Sequence, residues 1–271
     1  TLDGVTLPHW RLAPDCSVQS AAMVRIVRRG FVLGVATVAA QAAYARFRGV
    51  PSFDGLDPSG VFGELDLPTL RIVILGDSTV TAPGLDDPDD SWARISARHF
   101  EDRYRVELTC LAVGGARSRD VLEDQLPAAL ASEWDIAVVS VGSNDVLNLV
   151  PIWLFERRLN EIVARLNVVA RTVVLFGVGD LGSIPRVPFP LDRFAWWSGH
   201  IADWVHRRVA ARYGVAKVDQ WNQTTEPFNS GIHMFAPDLF HPSPAGHRAW
   251  ADALIPTLED VVAELEDSPS I

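Results

Sequence analysis

Cysteine and lysine are nearly absent from this 271-residue chain, and it has no excess of basic charge. Its two cysteines, Cys16 and Cys110, are too few for a disulfide framework or a thiolate metal cluster. Lys217 is the single lysine among 24 basic residues. The chain has 34 acidic residues, so its formal net charge is −10. Proteins that bind nucleic acids usually carry a basic patch and a high pI. We therefore expect no nucleic-acid partner.

Several cofactor and catalytic motifs are also missing. The chain has no P-loop, no H-E-x-x-H zinc motif and no G-x-S-x-G nucleophile elbow. Gly177, Gly179 and Gly182 do match G-x-G-x-x-G after an apolar run. That fingerprint needs a helix to begin at the glycines, but three prolines follow within residues 185–190. The sequence therefore predicts no nucleotide cofactor and no metal site.

Residues 1–48 are predicted as an amino-terminal extension with a signal-like or anchoring segment. In residues 1–22 the apolar residues show neither helical nor strand periodicity, and the segment resembles an upstream extension before Met23. A basic cluster at Arg25, Arg28 and Arg29 then precedes sixteen uncharged residues, 30–45, which end in Ala-Tyr-Ala. This order is typical of an export signal.

Two interpretations of the apolar segment stay open. Sixteen residues form a helix of about 24 Å, which is shorter than the ~30 Å hydrocarbon core of a bilayer. An amphipathic helix packed on the protein or lying on a membrane surface is therefore also possible. We expect export, or association with a membrane or the cell envelope through residues 23–47. The alternative is a cytoplasmic protein.

The remainder of the chain alternates apolar strands with amphipathic helices. Residues 49–69 are rich in Gly, Pro and Asp and are predicted as a linker or ordered loop. Five strands are predicted, at Arg71–Leu75, Arg105–Leu111, Asp135–Val141, Thr172–Phe176 and Val215–Asp219. Helices are predicted at Ser91–Glu101, Ser118–Ala131, Ile152–Ala170, Phe194–Tyr213 and Ser243–Glu264. The pattern predicts a three-layer α/β/α fold with a five-stranded parallel sheet.

Polar residues follow the predicted strands at the edge where such folds bind ligands. Ser78 follows the first strand, the glycine pair of VGGARS (113–118) the second, and Asn144 the third. A serine hydroxyl is a poor nucleophile without a nearby base, whereas backbone and amide N–H groups can stabilise an oxyanion. Asp238 lies three residues before His241, so the acid can orient the imidazole, which can then take a proton from a serine.

These four segments resemble the conserved blocks of the SGNH hydrolase superfamily, also called GDSL esterases and lipases. The resemblance covers about residues 70–265 and leaves out the tail, residues 266–271. Within the superfamily, the sequence is more specifically similar to actinobacterial single-domain members. It implies a flavodoxin-like fold without a cofactor. It also implies that Ser78 is the nucleophile, His241 the base and Asp238 its orienting acid. Ser78 N–H, Gly115 N–H and the Asn144 side chain would form the oxyanion hole. Thr79 stands where many members have leucine, and Asp77 and Asp145 are expected to be structural.

The function expected from this resemblance is hydrolysis of a small-molecule or lipid carboxylic ester with a short to medium acyl chain. An acyltransferase, or a carbohydrate or lipid deacetylase, would use the same acyl-enzyme. A non-catalytic binding domain would be expected to lack one of these residues, and none is missing. Some large apolar residues near the blocks are expected to line an acyl pocket or a lid: Trp153, Phe155, Phe189, Trp196, Trp197, Met234, Phe235 and Phe240. The sequence leaves the oligomeric state open.

Overall fold

A computed structural model divides the chain into two compact units, Thr1–Phe47 and Arg48–Ile271. The described residues are 51–267 in the second unit and, in the first, 23, 25–30, 32, 34, 36, 37, 40 and 41, which are all helical. The predicted extension 1–22, the Ala-Tyr-Ala pattern at 43–45 and the last four residues of the predicted tail lie outside them. Within the described residues, no helix is both long enough and apolar enough to span a bilayer.

The core of the second unit is a mixed sheet of six strands. The strands are β1 (Gly60–Phe62), β2 (Thr69–Gly76), β3 (Arg105–Cys110), β4 (Trp134–Ser140), β5 (Ala170–Leu175) and β6 (Ala216–Lys217). Their spatial order is β1-β3-β2-β4-β5-β6, and β2 to β6 are parallel. The five predicted strands are all present, although β6 is only two residues long. The predicted five-stranded parallel sheet is therefore corrected to six strands of mixed direction.

The additional strand lies within the segment predicted as a linker. β1 pairs antiparallel with β3, Gly60 opposite Leu108 and Phe62 opposite Val106. Phe62 turns its ring into the core, and the guanidinium of Arg98 lies 4.7 Å from the ring centroid. Residues 49–69 thus contribute an edge strand to the sheet and do not serve only as a connection.

Helices cover both faces of the sheet, as the alternating pattern predicts. The helices are α1 (Ser78–Thr81), α2 (Trp92–Arg98), α3 (Ser118–Asp120), α4 (Leu126–Ala129), α5 (Ser143–Leu147), α6 (Ile152–Leu166), α7 (Leu191–Tyr213), α8 (Gln220–Asn229) and α9 (Pro244–Asp267). A π-helical turn, Val121–Gln125, joins α3 to α4. Helices α2, α8 and α9 pack together in one layer, and α3, α4, α6 and α7 form the other. Ser243 caps α9 by accepting a hydrogen bond from Gly246 N at 3.3 Å.

The buried strands place their carboxyl ends side by side. β2 lies between β3 and β4, and Gly76 at its end is opposite Ser140 at the end of β4. The residues that follow β2, β4 and β5 therefore emerge at one edge of the sheet. The loop before α9 reaches the same edge, since Ser78 and His241 line one cavity there.

Candidate active site

Ser78 lies at the sharp turn where β2 ends and α1 begins. A Cβ at Gly76 would overlap the carbonyl oxygen of Ser140, so glycine is required for β2 to approach β4 here. Asp77 then adopts an extended conformation and caps α1, its Oδ1 accepting from Thr79 N at 2.9 Å. The turn leaves Ser78 partly exposed at the edge of an otherwise buried strand.

The side chain of Gln125, in the helical layer beside the sheet, stabilises this turn by hydrogen bonds to Gly76. β3 ends opposite Ile74, and beyond it Val113 N donates to Gly76 O at 3.2 Å. The buried side chain of Gln125 completes the bonding of Gly76: Oε1 accepts from Gly76 N and Nε2 also donates to Gly76 O, both at 2.8 Å. Gln125 closes the π-helical turn, a feature often found at functional sites. The sequence analysis missed this residue, because the sequence carries no signal for a one-residue widening of a helix.

Asp238 and His241 are joined by a short hydrogen bond. His241 Nδ1 lies 2.6 Å from Asp238 Oδ2, and Oδ1 accepts from the backbone N–H groups of Phe240 and His241 at 2.9 and 3.0 Å. Leu239, at φ +60°, allows this tight turn. Burial raises the pKa of Asp238, but these hydrogen bonds outweigh it, and the pKa lies below the ordinary 3.8. A hydrogen bond to an ionised Asp238 favours the imidazole tautomer with its proton on Nδ1, in which Nε2 can accept a proton.

Asn144 lies in the first turn of the short helix α5, which begins at Ser143 after β4. Gly142 precedes it at φ +130°, where a Cβ would lie 2.9 Å from Val178 Cγ2. The side-chain Nδ2 of Asn144 donates to Ala116 O at 3.1 Å and to Asp77 Oδ2 at 3.2 Å. Asn144 therefore links the turn after β2 to the turn after β3.

Asp77 and Asp145 hold the three turns together. Asp77 is fully buried, and this desolvation raises its pKa to about 6. Asp145 accepts from Ser118 through both oxygens, from the hydroxyl at 2.5 Å and from the backbone N–H at 2.8 Å. The two carboxylates thus fix backbone and side-chain positions around Ser78 and Asn144.

Gly115 lies apart from the other predicted site residues. It has a φ of +79° in an exposed turn after β3 and does not line the cavity that contains Ser78. Its neighbour Ala116 is the residue that reaches Asn144. The Gly115 amide therefore stays a prediction from the family resemblance.

Ser78, Asn144 and His241 share one cavity with mostly apolar walls. Its volume is about 60 Å³. The remaining lining residues come from α1, β4, α5, the loop after β5, helices α8 and α9, and the loop before α9: Thr79, Ser140, Ser143, Gly177, Gly179, Asp180, Leu181, Ser183, Ile184, Gln220, Thr224, Phe228, Phe235, Phe240, Pro242 and Trp250.

Helix α8 supplies the inner wall of this cavity and was not predicted. Gln220 is buried there, its amide donating to Phe176 O at 3.0 Å and accepting from Trp250 Nε1 at 3.3 Å. Thr224 Oγ1 donates to Gln220 O at 2.8 Å. A Cβ at Gly179 would lie 3.5 Å from the side-chain amide of Gln220 and 3.8 Å from Thr224 Oγ1, which are ordinary contacts. Gly179 thus lies against α8 in the wall of the cavity.

The large apolar residues near the blocks separate into three groups. Phe235 and Phe240 line the cavity, whereas Phe155 and Met234 are buried in the core. A third group is exposed: Trp153, Phe189, Trp196 and Trp197. In the described part of the chain, no three His, Cys, Asp or Glu side chains are grouped to hold a metal ion.

Comparisons with known proteins support the same family. The family model of the GDSL-like lipase/acylhydrolase family matches residues 74–249. The GDSL-like esterase Rv1075c of Mycobacterium tuberculosis is 27% identical over 268 residues, covering 95% of this chain and 85% of that protein.

Solved structures show a similar fold. The structure of TesA superposes with a TM-score of 0.59 and 23% identity, covering 70% of this chain and 99% of TesA. A catalytic mutant of Axe2, an acetylxylan esterase from Geobacillus stearothermophilus, superposes with a TM-score of 0.56 and 16% identity. The match covers 72% of this chain and 96% of Axe2. The matched family region spans all four blocks from β2 to α9. The chain belongs to the GDSL-like lipase/acylhydrolase family of carboxylic ester hydrolases.

Proposed function

We propose that the chain is a serine esterase that forms an acyl-enzyme on Ser78. The observation that carries this proposal is the 2.6 Å contact between His241 Nδ1 and an ionised Asp238, in a cavity shared with Ser78 and Asn144. An imidazole held in this way can accept a proton at Nε2 and is stabilised as the imidazolium that results.

The reaction proceeds in two half-reactions. Ser78 Oγ attacks the ester carbonyl carbon while its proton passes to His241 Nε2, and a tetrahedral oxyanion forms. The intermediate collapses, the alkoxide leaves with the proton from His241, and the acyl group stays on Ser78. A water molecule, deprotonated by His241, then attacks the acyl-enzyme and releases the carboxylic acid.

Asn144 is the proposed side-chain donor to the oxyanion, together with the backbone N–H groups of Ser78 and Gly115. In the free protein both hydrogens of its amide have acceptors, at Ala116 O and Asp77 Oδ2. To donate to an oxyanion, the amide must exchange one of these two bonds.

The size of the cavity supports a short acyl chain. A cavity of about 60 Å³ is small, which favours short acyl groups, from acetyl to about butanoyl. Axe2, one of the proteins with a similar fold, is an acetylxylan esterase.

A p-nitrophenyl ester series from acetate to palmitate tests both parts of the proposal. Wild-type enzyme should show its highest kcat/KM at two to about four carbons, and Ser78→Ala should lose turnover by a factor on the order of 10⁶. A fully active Ser78→Ala variant would overturn the nucleophile. A folded wild-type protein that is active only with an added alcohol acceptor would indicate an acyltransferase.

Gly179→Ala tests the acyl pocket separately from the nucleophile. Its Cβ fits the fold but fills space facing Gln220 and Thr224, so butanoate turnover should fall at least tenfold while acetate turnover changes little. Thr225→Ala is the control, because the Thr225 hydroxyl bonds Trp221 O and does not line the cavity. An unchanged chain-length profile in Gly179→Ala would show that the acyl chain binds elsewhere.

A further inference from the structure

An exposed row of aromatic side chains runs along helix α7. Phe194, Trp197 and Trp204 are spaced by three and seven residues, which places them on one face of the helix. Their side chains are between 48% and 57% exposed, although aromatic rings of this size are usually buried. We call these three residues the aromatic stripe.

Helix α6 extends the stripe sideways. The two helices run in the same direction, since Arg208 and Arg212 both pair with Glu156, and Arg212 also donates to Asn160. Trp153 and Trp204 lie one turn before Glu156 and Arg208, so both are near this contact between the two helices. Trp153 is 64% exposed. Leu149, which precedes α6, and Ile152, its first residue, are exposed as well and add apolar surface at this end of α6.

This surface borders the active-site cavity. Helix α5, which begins at the residue before Asn144, packs against α7. The loop after β5, which lines the cavity with Asp180, Leu181 and Ser183, packs on the first turns of α7. A Cβ at Gly182 in this loop would lie 2.7 Å from the Trp196 Cβ. The stripe therefore begins next to one wall of the cavity.

The charge around the stripe is opposite to that of the whole chain. Helices α6 and α7 together contain seven arginines and four acidic residues, whereas the full chain has a net charge of −10. Arg157 and Arg193 are exposed on α6 and α7 beside the stripe. A second copy docked through the same surface would bring these arginines towards their equivalents, which is unfavourable. An anionic surface would instead attract them.

We propose that the aromatic stripe and its flanking arginines dock onto the headgroup region of an anionic phospholipid bilayer. Tryptophan is the residue preferred at that depth, since its ring is apolar and its N–H can stay hydrated. Arginines beside it gain from the negative potential of the lipid surface. Docking in this way brings one side of the cavity next to the bilayer. The proposal concerns binding and does not rest on the esterase mechanism.

Vesicle co-sedimentation of the full chain tests the proposal. We expect the wild type to bind vesicles of phosphatidylcholine and phosphatidylglycerol at least tenfold more tightly than vesicles of phosphatidylcholine alone. Trp197→Ala/Trp204→Ala should weaken binding to the anionic vesicles at least tenfold. Both proteins keep residues 1–50, so the difference between them reports the stripe. Hydrolysis of soluble p-nitrophenyl acetate should be unchanged within twofold, because neither tryptophan lines the cavity.

A matched control uses exposed apolar residues at the opposite end of the sheet. Leu65 and Val168, 85% and 82% exposed, lie just before β2 and β5. Leu65→Ala/Val168→Ala should bind anionic vesicles within twofold of the wild type. Three results would each overturn the proposal: the tryptophan variant binds like the wild type, the wild type binds neutral and anionic vesicles equally, or the wild type does not bind. A dimer that the tryptophan variant converts to a monomer, without vesicle binding, would assign the stripe to contact between copies.

Discussion

At the scale of single residues, Asn144 differs from the other site residues because its amide is already fully bonded in the free protein. Asn144→Ala should lower kcat by about 10²–10³ with little change in KM, because the proposed oxyanion donor would act only in the transition state. Steady-state kinetics on p-nitrophenyl acetate measures this. Asn148→Ala is the matched control, an exposed asparagine on the same segment whose amide bonds Asn144 O. If both variants lost activity equally, Asn144 would not be an oxyanion donor.

Asp77 couples protonation to folding at the same site. Its pKa is raised from 3.8 to about 6 by burial, so the folded state holds this proton more tightly than the unfolded state. Its contribution to stability is therefore present below pH 4 and is lost as pH rises to about 6. This shift in the pKa of Asp77 corresponds to about 3 kcal/mol in the free energy of unfolding.

Asp77→Asn removes this titration. Relative to the wild type, the variant should gain up to about 3 kcal/mol between pH 4 and pH 7, as measured by urea unfolding at each pH. It also places an N–H₂ group against Asn144 Nδ2, where a carboxylate oxygen now accepts, so kcat should fall. Parallel stability profiles of the two proteins would contradict the raised pKa.

At the scale of elements, the π-helical turn Val121–Gln125 fixes the end of β2. Gln125→Leu leaves the buried Gly76 N–H without its acceptor, whereas Gly76 O keeps a bond from Val113 N at 3.2 Å. We expect a loss of about 1–3 kcal/mol in the free energy of unfolding, and a fall in kcat because Gly76 is two residues from Ser78. The control is Glu123→Ala, an exposed residue of the same turn, which should change stability by less than about 1 kcal/mol. Equal effects would show that Gln125 does not support the turn.

The elements also show how far the sequence predicts this structure. Five apolar runs identify the parallel strands, and their ends identify Ser78 and Asn144, because burial on both faces leaves a strong local signal. β1 is missed because three residues carry no period, and it forms only by pairing with β3. α8 is missed because its sequence, QWNQTTEPFN, is mainly polar and includes Pro227. The inner wall of the cavity and the support from Gln125 are tertiary features, which periodicity alone does not predict.

At the scale of the whole molecule, two buried histidines set the response to acid. Burial lowers the pKa of His206 to about 4 and that of His247 to about 3, from an ordinary 6.5. Both bind a proton more readily in the unfolded chain, so the stability they contribute is complete above pH 6.5 and is lost as pH falls. Asp77 acts in the opposite direction, since it gains a proton in the folded state below about pH 6.

These opposing titrations predict a net loss of stability between pH 6.5 and 4.5. Between pH 6.5 and 4.5 the titration of the two histidines lowers the free energy of unfolding by about 5 kcal/mol. The titration of Asp77 raises it by about 2 kcal/mol, so the net loss is about 3 kcal/mol. Urea unfolding across this range measures the loss. The His247→Gln side chain keeps an acceptor for Trp92 N but cannot titrate. The free energy of unfolding of this variant should therefore fall less steeply with pH, by about half of the loss that the two histidines cause in the wild type. His233→Gln, an exposed histidine, should retain the wild-type slope. If His247→Gln and His233→Gln had equal slopes, acid unfolding would have to begin at groups other than His247.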